Sequence, residues 1–209
     1  MQNAKLGLSA EERRLVLDPG VILTKNRIID KVYALFGVMA DELRALPWPE
    51  GTELVSPKIA RGENYRGMPF VMLDFPRLFS NQHVMAVRTH FWWGNYISVV
   101  LHLKGRYQDE YSGRVGELLQ QLHQSYWVAE THDEWEHAMV EPFWKPVNSM
   151  SADAFREHIG HHPFLKIGRK FPLETEEMGT EIVDTYNTYS LLLNTPPKTP
   201  PKTPPKHSP

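Results

Sequence analysis

Cysteine is absent from the sequence, and its absence removes several kinds of chemistry. Without thiols the chain cannot form disulfides, use a cysteine nucleophile, or ligate an iron–sulfur cluster or a cysteine-type zinc ion. The first residues, MQNAKLGLSAEERRLVLD, also lack an apolar stretch of signal-peptide length, because charged side chains interrupt it. Both features favour a cytoplasmic protein, and we expect that location.

Long apolar runs and an excess of positive charge are also missing. The longest nearly apolar run, residues 32–40, is half of the roughly 20 residues that a membrane-spanning helix needs. The chain has 23 basic and 25 acidic side chains, and three lysines lie in its last segment, so residues 1–194 carry 20 basic against 25 acidic groups. Nucleic-acid binding relies on clustered Lys and Arg. We therefore expect neither a membrane nor a nucleic-acid partner.

The motifs of the common enzyme classes do not occur. The sequence contains no G-x-S-x-G elbow, no G-x-x-x-x-G-K-[ST] phosphate loop and no dinucleotide-binding G-x-G-x-x-G. We therefore assign no catalytic residue, predict no cofactor, and leave open whether the protein is an enzyme.

The composition changes at residue 195, where the chain continues as TPPKTPPKTPPKHSP. Such a repeat cannot sustain helix or sheet hydrogen bonding and is typical of polyproline II or disordered chain. We predict one folded domain over residues 1–194 and a disordered tail over 195–209. The tail is either a ligand for an SH3-like or WW-like groove, a substrate for phosphorylation at Thr195, Thr199 and Thr203, or a repeat without a partner.

A helical period appears in five places. Ser9 and Glu12 have the spacing of a capping box and predict a short first helix ending near residues 18–20. The apolar stripe of the second and clearest helix is Ile28, Val32, Leu35, Phe36, Met39, Leu43 and Leu46. Three later helices are indicated by Val115, Leu118, Leu119 and Leu122, by Ser151, Phe155 and Ile159, and by Met178, Ile182, Tyr186, Tyr189 and Leu193.

Strand-like segments occur in groups between these helices. Residues 57–61 and 69–74 predict one pair, and residues 126–131 and 134–140 predict another. Residues 84–93 and 96–104 predict a hairpin closed by a two-residue turn at Gly94-Asn95. Strands grouped in hairpins favour a single α+β domain with a mainly antiparallel sheet and about five helices packed on it.

Two basic side chains interrupt an apolar face of the predicted hairpin. The two-residue turn sets Arg88 opposite Leu101 and His90 opposite Val99, together with Ala86, Trp92, Ile97 and Leu103. An arginine cannot lose its charge and is costly to remove from water unless it is paired. We therefore expect an anionic group beside Arg88.

Neighbouring strands carry two more charges that could meet this pair. Arg61 shares a strand side with Ile59, and Asp74 lies at the end of the next strand. The hypothesis is a ligand-binding pocket formed by Arg61, Asp74, Arg88 and His90, which binds a small carboxylate or phosphate while His90 exchanges a proton near neutral pH. The alternative is structural: Arg88 pairs with Asp74 or Glu63, and His90 is a hydrogen-bonded core residue.

Two further functions remain open. His132 and His137 in HDEWEH are five apart, whereas zincins need histidines four apart; His158, His161 and His162 could share a helical face but end at a proline. We assign no metal site and keep a metal-dependent enzyme with a His/Glu cluster as the third functional hypothesis.

The second functional hypothesis is a scaffold protein that acts through an aromatic sheet face and the tail. Because both hairpin faces are apolar, either helices cover both or a homo-oligomer covers one.

Overall fold

An antiparallel sheet of seven strands forms the centre of the molecule. The computed structural model describes residues 6–122, 126–174 and 178–194. The strands are β1 (Lys58–Tyr65), β2 (Met68–Phe79), β3 (Val84–Trp92), β4 (Tyr96–Lys104), β5 (Trp127–Ala129), β6 (Trp144–Pro146) and β7 (Leu165–Pro172). Their spatial order is β1-β2-β3-β4-β7-β5-β6, and every pairing is antiparallel. The fold is the expected single α+β domain.

Five α-helices accompany the sheet over the described residues, as predicted. They are α1 (Ala10–Val16), α2 (Pro19–Leu43), α3 (Arg106–Leu122), α4 (Ala152–His161) and α5 (Met178–Asn194). None of the helices in these ranges is long and apolar enough to cross a bilayer. The predicted tail, residues 195–209, lies outside the described residues.

The Asp-Pro-Gly sequence both ends α1 and begins α2. Ser9 and Glu12 form the predicted capping box at the start of α1. The Asp18 side chain accepts a hydrogen bond from the backbone N–H of Gly20, and Pro19 takes the first helical position, where its missing N–H costs nothing. The proline that ends α1 is therefore also the first residue of α2, which is 25 residues long.

The helices cover one face of the sheet, which we call the helix face. The main core of buried apolar residues unites this face with α2, α3, α4 and α5. It includes Val87 and Phe91 from β3 and Val99 and Leu101 from β4, all almost fully buried. The Thr89 hydroxyl also points to this side, where it lies 2.7 Å from the Tyr186 hydroxyl of α5.

The opposite face, which we call the polar face, is covered by irregular chain. Residues 130–143 cross it between β5 and β6, so the strand predicted for residues 134–140 is wrong. β5 pairs instead with β6 and β7. Sequence reasoning missed β7, because its sequence LKIGRKFP intersperses lysine, glycine and arginine among few apolar residues. Both faces are thus covered within one chain, although helices cover only one.

The β3–β4 hairpin is confirmed, but its register differs by one residue from the prediction. The loop has three residues, 93–95, so Trp92 faces Tyr96 and His90 faces Ser98. A slip of one residue moves a whole strand to the other face. The observed register sends Ile97, Val99, Leu101 and Leu103 to the helix face and places Ser98 and His102 on the same face as Arg88 and His90.

Gly168 is required where β4 and β7 pair. A Cβ at this position would lie 2.8 Å from the Val99 carbonyl oxygen and 2.8 Å from a Val100 methyl group. We expect Gly168→Ala to lower the free energy of unfolding by about 1–3 kcal/mol, because backbone must shift. The control is Gly37→Ala within α2, where a Cβ meets nothing within 4 Å, and which should stabilise by about 0.5–1 kcal/mol. Urea unfolding measures both, and a Gly168→Ala protein as stable as wild type would contradict the pairing.

Candidate functional site

Arg88 and Asp74 form a two-pronged ion pair on the polar face. They are direct partners in the β2–β3 register. Arg88 Nε lies 2.6 Å from Asp74 Oδ1, and Arg88 Nη2 lies 2.9 Å from Asp74 Oδ2. The third nitrogen, Nη1, is 3.0 Å from Nε2 of His137. The expected anionic companion of Arg88 is thus a residue of the protein itself, as in the structural alternative.

Arg61 does not join this pair. It is the register partner of Val71, whose side chain belongs to the helix-face core, so Arg61 lies on the opposite side of the sheet from Asp74. There it forms a 2.7 Å ion pair with Asp30 of α2, and its side chain is 54% exposed. The alternation along β1 and β2 therefore removes Arg61 from the predicted pocket.

His90 lies deep in the polar face, between the ion pair and a group of aromatic rings. Only 1% of it is exposed, and neither ring nitrogen has a hydrogen-bond partner among the described residues. Burial, reinforced by Arg88 and Lys166, lowers the pKa of His90 to about 3. The imidazole is therefore neutral at pH 7 and does not exchange a proton there, in contrast to the expectation from sequence.

Lys166 is a buried cation that sequence reasoning missed, because β7 was missed. The ammonium group of Lys166 donates hydrogen bonds to the backbone carbonyl oxygens of Glu134 and Glu136, at 3.0 and 2.7 Å. Burial, with Arg88 as the next cause, lowers the pKa of Lys166 to about 7. Only 3% of the residue is exposed, so the covering segment supplies the acceptors that water would otherwise provide.

Further polar groups surround Lys166. The observed β4 register places His102 and Ser98 in this cluster. Both are buried, and each has a side-chain N or O atom without a hydrogen-bond partner in the described chain. Burial, reinforced by Lys166, lowers the pKa of His102 to about 2. His137 is half-buried, and burial lowers its pKa as well. The polar face thus holds the charged Arg88 and the buried Lys166, whose pKa is lowered, among several neutral imidazole and hydroxyl groups.

Residues 130–143 are fastened to the sheet by specific contacts. Glu136 accepts hydrogen bonds from the Tyr65 hydroxyl and, at 2.7 Å, from Arg66. Lys104 donates to the Glu134 carboxylate at 2.6 Å. The Tyr96 hydroxyl accepts from the backbone N–H of Met139 at 2.6 Å. These contacts reach the β1–β2 turn and β4, so the segment is a fixed cover for the polar cluster.

A cavity of about 360 Å³ opens beside the Arg88–Asp74 pair. Its charged lining is Lys58, Asp74, Arg77 and Arg88, three cations against one carboxylate that Arg88 already neutralises. Arg77 donates from Nε to the Ser56 carbonyl oxygen, and neither Arg77 nor Lys58 has an ion-pair partner within the described chain. The half-exposed Trp135 ring lies 5.9 Å from the Arg88 guanidinium and forms one wall.

Three of the histidines considered as metal ligands, His132, His158 and His162, form a stack. His162 stacks on His158 and His132 at centroid distances of 4.7 and 5.2 Å, and His158 lies 3.6 Å from a Glu130 oxygen. His161 contacts a carbonyl oxygen of its own helix instead. Within the described ranges, no group of three His, Asp or Glu residues is arranged to hold a metal ion.

No family model, no curated protein and no solved structure matches this chain. A functional proposal therefore depends on the geometry and charge of the polar face alone.

The Arg88–Asp74 pair predicts a specific pattern of stability. Arg88→Leu leaves the Asp74 carboxylate buried without its partner and should lower the free energy of unfolding by about 3–5 kcal/mol. Replacing both residues with leucine should restore most of the loss, because no charge is then stranded. The matched control is Arg61→Leu, which breaks an exposed pair and should cost about 1 kcal/mol or less. Urea unfolding measures all three, and an Arg88→Leu protein within about 1 kcal/mol of wild type would refute the assignment.

The buried histidines predict sensitivity to acid. His90 and His102 have pKa values of about 3 and 2 in the folded chain and about 6.5 when unfolded. The unfolded state therefore takes up protons first, so stability is fully present above pH 6.5 and falls below it, by about 1.4 kcal/mol per pH unit for each histidine. Urea unfolding between pH 7 and pH 4.5 measures this slope.

His102→Phe separates this effect from general acid unfolding. The variant keeps a ring against Trp135 and Phe164 and should reduce the slope by about 1.4 kcal/mol per pH unit. His161→Gln, an exposed position on α4, is the control. Equal slopes in wild type and His102→Phe would show that His102 is not a buried neutral imidazole.

Proposed function

We propose that the protein binds a small anion carrying carboxylate or phosphate groups in the cavity beside Arg88. The observation that carries the proposal is the surplus of positive charge there: Lys58 and Arg77 lack an anionic partner in the described chain, and Asp74 is already bound to Arg88. Arginine forks and lysine are the usual protein ligands for such anions. Asp74 then serves to hold the Arg88 guanidinium in place beside the cavity.

The size and walls of the cavity favour a small molecule. A volume of about 360 Å³ lies at the lower end of the range for small-molecule sites. Trp135 and Phe79 provide an apolar wall, with their ring centroids 6.3 Å apart. A ligand with one planar or apolar part and one anionic group would satisfy both sides of this cavity.

The arrangement supports binding rather than turnover. The buried groups near the ion pair, His90 and His102, are neutral at pH 7, and neither lines the cavity. A general acid or base needs to reach the reacting group and to titrate near the working pH. Neither histidine meets these conditions. Burial lowers the pKa of Lys166 to about 7, but Lys166 is 3% exposed, donates to the carbonyl oxygens of Glu134 and Glu136 and does not line the cavity, so we propose no reaction.

The aromatic side chains of the sheet give little support to the scaffold alternative. The aromatic residues Trp92, Tyr96 and Trp144 of the polar face are buried under the covering segment and do not offer an open docking surface. The tail that would serve a scaffold lies outside the described residues. The cytoplasmic location and the absence of a nucleic-acid partner stay predictions from composition.

Calorimetric titration at low ionic strength tests the site, with inorganic phosphate, pyrophosphate and citrate as probes. Wild type should bind at least one of them. Arg77→Ala should weaken that binding roughly tenfold or more, because a hydrogen bond between charged groups contributes about 1.5–3 kcal/mol. Arg77 is only half-buried and makes one backbone contact, so the variant should fold.

The control variant is Arg156→Ala, which removes the same charge from an exposed position on α4. It should bind the probe as wild type does. Equal affinity in Arg77→Ala and Arg156→Ala would contradict the site, and so would the absence of binding to all three probes.

A further inference from the structure

An irregularity in β2 brings Arg77 to the polar face. Asp74 faces Arg88 across the β2–β3 pair, and three residues later Arg77 faces Ala86, which is only two residues from Arg88. The extra residue in β2 is a β-bulge, and bulges commonly re-aim a side chain beside a functional site. An unbroken strand would send Arg77 to the helix face. The bulge places it instead on the same side as Asp74 and Arg88.

A second cavity, of about 520 Å³, adjoins the cavity beside Arg88. Arg77, Phe79 and Ser80 line both cavities. The other charged side chain of the second cavity is Arg106, and no acidic side chain belongs to its lining among the described residues. The excess of positive charge therefore continues from the cavity beside Arg88 into the second cavity.

His83 and Arg106 form a fixed wall of the second cavity. The backbone N–H of Arg106 donates to Nδ1 of His83 at 3.2 Å. Because Nδ1 accepts this hydrogen bond, the proton of the imidazole is on Nε2, which can donate to a ligand. Gly105 allows the close approach: its φ is +59°, and a Cβ there would overlap the His83 ring. The backbone thus holds an imidazole donor next to Arg106.

The Arg106 guanidinium has no anionic partner in the described ranges of the chain. It lies 4.7 Å from the centre of the Tyr107 ring, and its Nη2 donates to the Tyr107 hydroxyl at 2.8 Å. A guanidinium has five N–H donors, so this contact leaves others for a carboxylate or phosphate. Arg106 is also exposed, and a ligand in the second cavity can reach it.

Phe79 is an apolar wall that the two cavities share. It is 41% exposed although its ring is large and apolar. Trp135 adds a second ring in the cavity beside Arg88, and Tyr107 adds one in the second cavity. Small-molecule sites typically combine such apolar walls with a few polar groups that fix the ligand. Here each cavity has cations of its own, and the apolar wall is common to both.

We propose that the ligand is an elongated molecule with an anionic group at each end and an apolar or planar middle part. One anionic group binds in the cavity beside Arg88, and the middle part packs on Phe79. The other anionic group binds Arg106 and His83 in the second cavity. Once one end is bound, the other end binds at a high effective concentration, which raises the affinity. This inference rests on the proposed function, because it requires the anion site beside Arg88.

Calorimetric titration with paired probes tests the inference. The probes are alkane bisphosphonates of increasing chain length, with one phosphonate at each end, and the alkyl monophosphonates of the same lengths. At one chain length the bisphosphonate should bind wild type roughly tenfold or more tightly than the matched monophosphonate. This gain should decline for shorter and longer chains. Unspecific attraction between charges would give no such optimum of chain length.

Two variants separate the ends of the ligand. Arg106→Ala should remove most of the gain of the bisphosphonate and change the monophosphonate affinity by less than about twofold. Lys58→Ala removes a charge that lines the cavity beside Arg88 and not the second cavity, so it should weaken both probes by a similar factor. The control is Arg156→Ala on α4, which should bind both probes as wild type does. All three positions are exposed, and circular dichroism should show the variants folded.

Three results would overturn the inference. If monophosphonates bind and no bisphosphonate binds more tightly, the second end is wrong while the anion site beside Arg88 stands. If the gain of the bisphosphonate survives Arg106→Ala, its second end binds elsewhere than in the second cavity. If no phosphonate binds at all, the proposed anion site fails, and the inference fails with it.

Discussion

Positive charge inside the polar face of the sheet is the constraint on which the rest of the structure depends. Arg88 on β3 and Lys166 on β7 are both removed from most solvent, and each needs acceptors that replace water. Asp74 supplies them for Arg88, and the carbonyl oxygens of Glu134 and Glu136 supply them for Lys166. The irregular course of residues 130–143 is a consequence, because a regular strand there would turn its carbonyls to neighbouring strands instead.

The two faces of the sheet therefore have different roles. The helix face is an apolar core that determines the stability of the domain. The polar face combines an aromatic cluster with buried imidazoles and a fixed ion pair, and it opens at one end into the cavity beside Arg88. Inside the polar face, Arg88 is paired with Asp74, whereas Lys58 and Arg77 at the cavity have no anionic partner in the described chain. This difference explains why an anion would bind in the cavity and not further inside the face.

The fold class and most of the elements followed from residue patterns, while the site followed only in part. Capping at Ser9, the apolar period of α2 and the β3–β4 hairpin were predictable because each depends on neighbours in sequence. Arg88, Asp74 and His90 were correctly placed on one face by alternation along their strands. Arg61 was misplaced, because the side of β1 it occupies depends on pairing with β2.

Other members of the cluster could not be found from local patterns. Lys166 stands in a strand whose alternation is masked by its own polar residues, and it is tolerated only because distant carbonyls meet it. The register error of one residue placed Val99 and Leu101 on the face of Arg88 and so left Ser98 and His102 out of the predicted cluster. A better indication was available: the observed register places Ile97, Val99, Leu101 and Leu103 on the same face as Val87 and Phe91, in one apolar core.

The most direct test of the account is the position of a bound anion. A crystal of the protein soaked in selenate would reveal the anion by its anomalous scattering. The account predicts a peak in the cavity within hydrogen-bonding distance of Arg77 and Lys58, with the Arg88–Asp74 pair intact behind it. Selenate peaks on other basic surfaces, with none in this cavity, would contradict it.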